Sequence, residues 1–342
     1  MGAKGKWLKS LLFLALALLL LFLAFRSVDF AHLRDGFREV RYGWVAVALL
    51  LGLASHVVRA ARWRLLIEPI HRKLPLANVL AAVFVGYITN LAFPRLGEVA
   101  KCGSINKTDG TRFDSLLGTV VVERAFDLLA TIFLTLLVLA LQFERVGQFF
   151  AERIFAPICD KLMSISVFTY VVVAVVGLLL VLLAVVVMHR QLLGERLSGK
   201  LQSLKQGLVD GLKSLFNTPK WGMFLIYTLL LWLLYWLMTW AVVRSTPITQ
   251  GLGASDALFL LVVGSYGMVV PVQGGFGAFH VITAISLGIY GIAYDDGLIF
   301  AIISHESQTL LLIVGGLVAL AYIYLKISKK TQNDRARTVD QS

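Results

Sequence analysis

Charged residues are scarce in this sequence of 342 residues: Asp, Glu, Lys and Arg make up 15%, whereas hydrophobic residues make up 58%. Soluble globular domains carry roughly 25% charged and about 45–50% apolar residues. The runs Leu162–Met188 and Trp221–Val243 contain no charged side chain, and about 20 apolar residues suffice to cross a bilayer core. The sequence therefore predicts a polytopic membrane protein and excludes soluble enzymes, disordered chains and disulfide scaffolds.

Cysteine is also rare. Cys102 and Cys159 are far apart, form no C-x-x-C motif and have no nearby His, so we expect neither a cofactor nor a metal site built on them. The 32 basic against 20 acidic residues would indicate nucleic acid in a soluble chain, but membrane proteins collect Lys and Arg in cytoplasmic loops. We therefore expect membrane lipids, not nucleic acid, as partners, and the sequence predicts no particular oligomer.

Apolar segments recur along the chain. They lie near 10–25, 43–67, 77–93, 115–141, 163–188, 222–243, 254–270, 276–292 and 297–325. If all nine crossed the membrane with the N-terminus inside, eleven Lys and Arg residues would lie inside and nineteen outside. That distribution inverts the basic excess of cytoplasmic loops, which argues against nine full spans.

Two pairs of these segments are better interpreted as hairpins that enter and leave the membrane on one side. The first covers about 76–112 and turns at Pro94, and the second covers about 254–292 and turns over 271–277. Twenty-two basic residues then lie inside and eight outside, with both termini cytoplasmic. The predicted fold is an all-α polytopic membrane protein with about six full spans and two oppositely oriented re-entrant hairpins. Such inverted repeats with broken helices are typical of transporters.

We expect one transmembrane domain over residues 1–325. Within it, residues 189–220 have Leu at mostly three- and four-residue intervals with Arg and Lys between them. This pattern is typical of an amphipathic helix on anionic cytoplasmic lipid, with a partner-binding role as the alternative. Residues 326–342 are polar and basic, and they predict a disordered cytoplasmic tail.

The first candidate site is the tip of the first hairpin, Asn90-Leu-Ala-Phe-Pro-Arg-Leu-Gly-Glu98. Pro94 suits the first turn of a new helix, whose N-terminus would present free N–H groups and the positive end of its dipole. Together with Arg95, this favours a site for a phosphate or carboxylate. Asn90, Gly97 and Glu98 would belong to it. The alternative is that Arg95 and Glu98 simply pair with each other.

The second candidate site lies within the segment 115–141. Glu123 and Asp127 share one helical face at i and i+4, and Arg124 reaches Asp127 at i+3. A charge at mid-membrane costs about 2.5–3.5 kcal/mol on insertion scales, so these residues need a role. They form either a proton or cation relay, or anchors for basic residues of the first hairpin and of segment 43–67. Arg59 needs such a partner, whereas Arg62 is expected to reach the cytoplasmic surface.

The third candidate site combines a glycine-rich turn with two histidines. Its residues are Pro271, Gly274, Gly275, Gly277, His280 and His305. The glycines permit close backbone approach and unusual dihedral angles. His305-Glu306 lacks the second His of an H-E-x-x-H protease, because Thr309 stands there, and two histidines with one carboxylate are a weak metal motif. We expect a polar contact of His280 with His305 and Glu306 that joins the second hairpin to the last span.

Three sequence blocks occur in the order and spacing of a known family: NLAFPRLGEVAKCG, GTVVVERAFDLL and PVQGGFGAFH. Together with RAARWRLLI in the second segment, they resemble the transmembrane region of lysylphosphatidylglycerol synthases. Stand-alone bacterial and archaeal membrane proteins share this region. The resemblance covers nearly the whole chain and implies a domain that flips a lipid between leaflets, while a separate cytosolic domain transfers the amino acid.

The resemblance implies a translocase of the cytoplasmic membrane, not an enzyme, that moves an anionic or aminoacylated phospholipid headgroup. Arg95 and the helix after Pro94 would hold the headgroup, and the cluster at 123–127 would complete a polar path. The turn at 274–277 would form the opposing gate. The family pattern has Glu where this chain has His280, and Arg where it has His305.

Two alternatives remain open at this point. The 342 residues leave no room for the transferase domain, so we expect no lipid aminoacylation by this chain alone. It is then either the membrane subunit of a lipid-modifying system whose separate cytosolic transferase is the partner, or a non-transporting membrane scaffold.

Overall fold

The computed structural model describes residues 30–71, 74–145 and 220–339. Within these ranges the chain is helical and contains no strand. The helices are α1 Phe30–Arg38, α2 Tyr42–Ile67, α3 Leu76–Ala92, α4 Gly97–Asp109, α5 Phe113–Leu141, α6 Trp221–Ser245, α7 Ala254–Val269, α8 Ala278–Leu287 and α9 Tyr294–Val339. The predicted segments 10–25 and 163–188 lie outside the described residues, as does almost all of the predicted amphipathic helix 189–220.

Four of the described helices are long and apolar enough to cross a membrane: α2, α5, α6 and the part of α9 from Tyr294 to Ser328. They contain 26, 29, 25 and 35 residues, and each exceeds the roughly 20 residues that a bilayer core requires. Large apolar side chains such as Phe133, Leu229 and Val318 are exposed on them, as expected of surfaces that face lipid. The predicted all-α polytopic fold is confirmed.

Two helix–turn–helix hairpins occur where the sequence predicts them. Residues 93–96 join α3 to α4, between the spans α2 and α5, and residues 270–277 join α7 to α8, between α6 and α9. With 17 and 16 residues, α3 and α7 reach only about 24–26 Å at 1.5 Å per residue, which is less than a bilayer core of about 30 Å. The orientation of the hairpins in a membrane stays a prediction.

The tips of the two hairpins contact each other. The short 3₁₀ turn Gln273–Gly275 packs against α3, and a Cβ placed on Gly274 would overlap the side chain of Leu91 near the end of α3. Gly274 also has a φ of +58°, a conformation that glycine adopts without the steric cost of a side chain. The two broken elements therefore meet at Leu91 and Gly274, although much of the first tip, including Phe93 and Arg95, is exposed.

The last helix continues further than the sequence predicts. We expected a disordered tail over 326–342, but α9 extends to Val339. The sequence after Gly316 contains no Gly or Pro up to that point, and helix elongation is cooperative once a helix has formed. In addition, Lys326 Nζ lies 3.0 Å from Asp109 Oδ1, which fastens this part of α9 to the end of α4.

Candidate functional site

A buried ionic cluster joins α2, α4 and α5. Glu123 is fully buried and accepts hydrogen bonds from Arg62 Nη2 at 3.2 Å and from Lys101 Nζ at 2.6 Å. Buried carboxylates need such charged partners, since an isolated buried charge is very costly. The interpretation of Glu123 as an anchor for basic residues of the hairpin and of α2 is confirmed.

The expectation that Arg62 reaches the cytoplasmic surface is wrong. Its side chain is 0% exposed, because α6 packs over this part of α2. The guanidinium Nη1 lies 3.5 Å from Thr228 Oγ1, and Cζ lies 5.7 Å from the ring centroid of Phe224. Segment 222–243 is distant in sequence, so nothing local to Arg62 showed that it would be covered.

Asp127 is the second acceptor of the cluster. It accepts hydrogen bonds from Arg62 Nη2 at 2.7 Å and from Arg59 Nη2 at 3.2 Å. Arg124 Nη1 lies 3.8 Å away, as the i,i+3 spacing predicted. Arg59 therefore has the buried partner that its position in a span requires.

Lys101 is a member of the cluster that the sequence analysis did not select. Besides its bond to Glu123, its Nζ lies 4.0 Å from the ring centroid of Trp63, a geometry for cation–π attraction. The Trp63 indole N–H in turn donates to Thr119 Oγ1 at 2.9 Å. The i,i+3 spacing of Glu98 and Lys101 could have indicated this role, because it places both residues on one helical face.

Glu98 pairs with residues other than Arg95. It accepts a hydrogen bond from Arg124 Nη2, and Lys101 Nζ lies 3.9 Å from it. The Arg95 side chain is exposed, so the alternative in which Arg95 and Glu98 neutralise each other is not found. Arg95 remains on the hairpin tip as a separate cation.

Pro94 and Arg95 form a tight turn that precedes the new helix. The Leu96 N–H donates to the Phe93 carbonyl at 3.3 Å, and Arg95 has a φ of +64°. Pro followed by a residue with positive φ is the type II pattern, which normally places Gly or Asn at the second position. Because α4 begins at Gly97, the expectation that Pro94 lies in its first turn is wrong. A non-glycine residue with positive φ is strained, and such strain is concentrated at functional sites.

The hairpin is closed by a close approach between its two helices. The Gly97 N–H donates to Asn90 Oδ1 at 2.7 Å, so this N–H of α4 is already satisfied. A Cβ on Gly97 would overlap the Gly86 carbonyl oxygen and the Asn90 side chain. Gly97 is therefore required for contact between α3 and α4.

A pocket lies next to this cluster. It is lined by Arg59, Val83, Gly86, Tyr87, Asn90, Gly97, Glu98, Lys101 and Arg124. Within the described part of the chain, the Arg59 Nε–H and both ring nitrogens of His56 are buried without a hydrogen-bond partner. His56 precedes Arg59 by three residues and shares its helical face. His56 was not predicted as a site residue, although a lone His within an apolar span indicates a possible functional role.

The cluster carries an excess of positive charge. Among the described residues, four cations (Arg59, Arg62, Lys101 and Arg124) face three carboxylates (Glu98, Glu123 and Asp127). The exposed Arg95 adds a further cation at the tip of the same hairpin. This arrangement favours an anion rather than a cation as the ligand of the pocket.

The third candidate site forms a separate group at the second hairpin. His280 Nε2 lies 3.2 Å and His305 Nδ1 lies 3.0 Å from Glu306 Oε1, which confirms the predicted contact between hairpin and last span. Pro271 precedes a turn in which Gly274, Gly275 and Gly277 all have positive φ. These residues do not line the pocket of the first site, but Gly274 contacts Leu91 beside its tip.

Comparison with known proteins gives one result that bears on identity. No curated protein and no solved structure matches the chain. A protein-family model described as Lysylphosphatidylglycerol synthase TM region matches residues 9–316. This match covers both hairpins, the buried ionic cluster and the glycine turn. The chain therefore belongs to the lysylphosphatidylglycerol synthase transmembrane-region family.

Proposed function

We propose that this protein moves an anionic or aminoacylated phospholipid headgroup between the leaflets of the cytoplasmic membrane. The observation that carries the proposal is the excess of positive charge around a pocket that the first hairpin forms with α2 and α5. The acyl tails would stay in the bilayer, so only the headgroup needs a polar route.

The donors of the pocket support an anionic ligand. Arg59 lines the pocket with an Nε–H that has no acceptor among the described residues, and a guanidinium binds phosphate through charge-assisted hydrogen bonds. Its ionic partners, Asp127 and Glu123, are both shared with Arg62. A bound phosphate would therefore balance the fourth cation of the cluster without breaking an existing ion pair.

The pocket as it stands is small for a phospholipid headgroup. It measures about 230 Å³ even with the space open to its mouth included, whereas ligand sites usually measure roughly 300–1,000 Å³. A phospholipid headgroup enters only if the helices that line the pocket move apart. The two hairpin tips meet where Leu91 contacts Gly274. We assign the gate of the headgroup route to this contact.

The topology follows from the distribution of basic residues. We place both termini in the cytoplasm, because twenty-two basic residues then lie inside and eight outside, in the sense of the positive-inside rule. The first hairpin then enters from the cytoplasm and the second from outside. Aminoacylation of the lipid, where it occurs, is assigned to a separate cytosolic transferase.

Lipid exchange in proteoliposomes tests the proposal. We expect the purified protein to accelerate exchange of a fluorescent phosphatidylglycerol between leaflets over protein-free liposomes, and to do so more than for phosphatidylcholine. Folded protein that gives no acceleration for either lipid would contradict translocation and favour the scaffold. Acceleration only after addition of a cytosolic transferase would favour a subunit of a lipid-modifying system.

A further inference from the structure

Three metal-ligand side chains converge between α8 and α9. One ring nitrogen each of His280 and His305 and a carboxylate oxygen of Glu306 all lie within 4.8 Å of one another. The imidazoles are buried, with 1% and 6% of their residue surface exposed, whereas 38% of the Glu306 side chain is exposed. The group is therefore held on two packed helices, and one side remains open to a small ligand.

The hydrogen bonds of His305 require a cation at this point. His305 Nε2 lies 2.8 Å from the Gly274 carbonyl oxygen, which only accepts, so Nε2 must carry a proton. His305 Nδ1 then faces the Glu306 carboxylate at 3.0 Å. Two acceptors do not approach in this way unless a proton or a metal ion lies between them.

The spacing fits a metal ion. Zinc binds His nitrogen and carboxylate oxygen at about 2.0–2.2 Å in a tetrahedron, which separates neighbouring ligand atoms by roughly 3.4 Å. The distances of 3.2 Å for His280 Nε2 and 3.0 Å for His305 Nδ1 to Glu306 Oε1 are close to this value.

The surroundings of His305 also match a metal ligand. A histidine that binds a metal usually donates its other ring N–H to a carbonyl or carboxylate, which fixes the ring orientation and the tautomer. The Gly274 carbonyl does this for His305. Phe276 and Phe279 pack against the ring, with centroids 5.1 Å away in both cases.

We propose that His280, His305 and Glu306 bind a divalent transition-metal ion of the zinc class, with a fourth position open beside Glu306. The ion ties the glycine turn to α9, because His305 holds Gly274 through its second nitrogen. The sequence predicts the contact of these three residues but assigns no metal to them. The proposal does not depend on lipid translocation.

Zinc binding to the full-length protein in detergent tests the site. After treatment with a chelator and addition of zinc chloride, we expect one retained zinc per chain by elemental analysis and a higher unfolding temperature. His280→Asn, His305→Gln and Glu306→Gln should each weaken zinc binding about tenfold or more. The matched control is His32→Gln, since His32 also bonds a carboxylate of α9, Asp296, at 2.8 Å, but belongs to no group of three metal-ligand side chains within the described part of the chain. This variant should bind zinc as the wild type does.

Cobalt gives a readout that needs no variant. Bound to the wild-type protein, cobalt should show the intense visible absorption of a four-coordinate site with nitrogen and oxygen ligands. Wild-type protein that retains no zinc and gives no such absorption would overturn the proposal. The proposal would also be overturned if His32→Gln lost as much zinc as the variants of His280, His305 and Glu306.

Discussion

Lys101 Nζ lies 2.6 Å from Glu123 Oε2, and both residues are buried, with 4% and 0% of their surfaces exposed. This ion pair fastens the second helix of the first hairpin to the span α5. Glu123 also accepts from Arg62 on α2, so one carboxylate holds three helices together. The position of the pocket, which lies between these helices, depends on it.

Neutralising Glu123 should destabilise the fold strongly. Glu123→Gln leaves Lys101 and Arg62 without their common carboxylate partner, and breaking a buried pair by removing one member costs about 3–5 kcal/mol. The thermal unfolding temperature in detergent should fall clearly. Addition of Lys101→Met should recover part of the loss, because it removes one of the uncompensated charges; strict additivity of the two losses would contradict direct coupling.

The contact between α3 and α4 should not tolerate a methyl group at Gly97. Gly97→Ala places a Cβ against the Gly86 carbonyl and the Asn90 side chain, and overpacking of this kind costs about 1–3 kcal/mol. Gly103→Ala on the same helix is the matched control, since its Cβ meets nothing within 4 Å. We expect Gly103→Ala to keep the unfolding temperature or to raise it, with a gain in the free energy of unfolding of up to about 1 kcal/mol. Equal behaviour of the two variants would argue against a tight hairpin.

Arg95 should be required for lipid exchange but not for folding. A positive φ destabilises a non-glycine residue by roughly 1–2 kcal/mol, and Arg95→Gly removes this strain. Glycine also makes the unfolded chain more flexible, which lowers the gain in stability by about 0.5–1 kcal/mol. We therefore expect unchanged or slightly higher stability together with slower exchange of anionic lipid. Arg95→Lys should retain most of the exchange. Full activity of Arg95→Gly would remove Arg95 from the headgroup route.

The contact of the two hairpin tips is testable with a pair of glycines. Gly274→Ala and Gly291→Ala both place a side chain at a positive φ, of +58° and +73°. Only Gly274→Ala also meets Leu91, whereas a Cβ on Gly291 meets nothing within 4 Å. We expect Gly274→Ala to cost about 1 kcal/mol more and to change the rate of exchange. Leu91→Ala in that background should restore part of the stability.

Much of the fold was predictable, because long apolar segments and the turns between them are local features. The spans α2, α5 and α6 and the first helix of each hairpin, α3 and α7, begin and end within two residues of the predicted segments. The helix α8 is shorter than its segment, and α4 ends three residues before the predicted end of the first hairpin. The helical extension of α9 was missed, since polar composition alone does not show that Lys326 binds Asp109.

The candidate site was predictable in part, including the anchoring role of Glu123 and the contact of His280 with His305 and Glu306. The spacing of Glu123, Arg124 and Asp127 placed them on one face. The burial of Arg62 under Phe224 and the partners of Lys101 depend on helices that are far apart in sequence. The packing of α8 on α9 brings His280 to His305, as the sequence predicted.

Arg59 provides the most direct test of the central claim that a cation in the buried pocket moves an anionic headgroup. Asp127 keeps Arg62 at 2.7 Å when Arg59 is removed, so Arg59→Gln should fold. Arg112→Gln is the control, because Arg112 is 70% exposed and pairs with Asp114 outside the pocket.

The measurement is the leaflet exchange rate of fluorescent phosphatidylglycerol in proteoliposomes that contain equal amounts of each folded variant. Since a hydrogen bond to a charged group contributes about 1.5–3 kcal/mol, the account predicts exchange at least about tenfold slower for Arg59→Gln and unchanged for Arg112→Gln. Exchange at the wild-type rate in folded Arg59→Gln would contradict it.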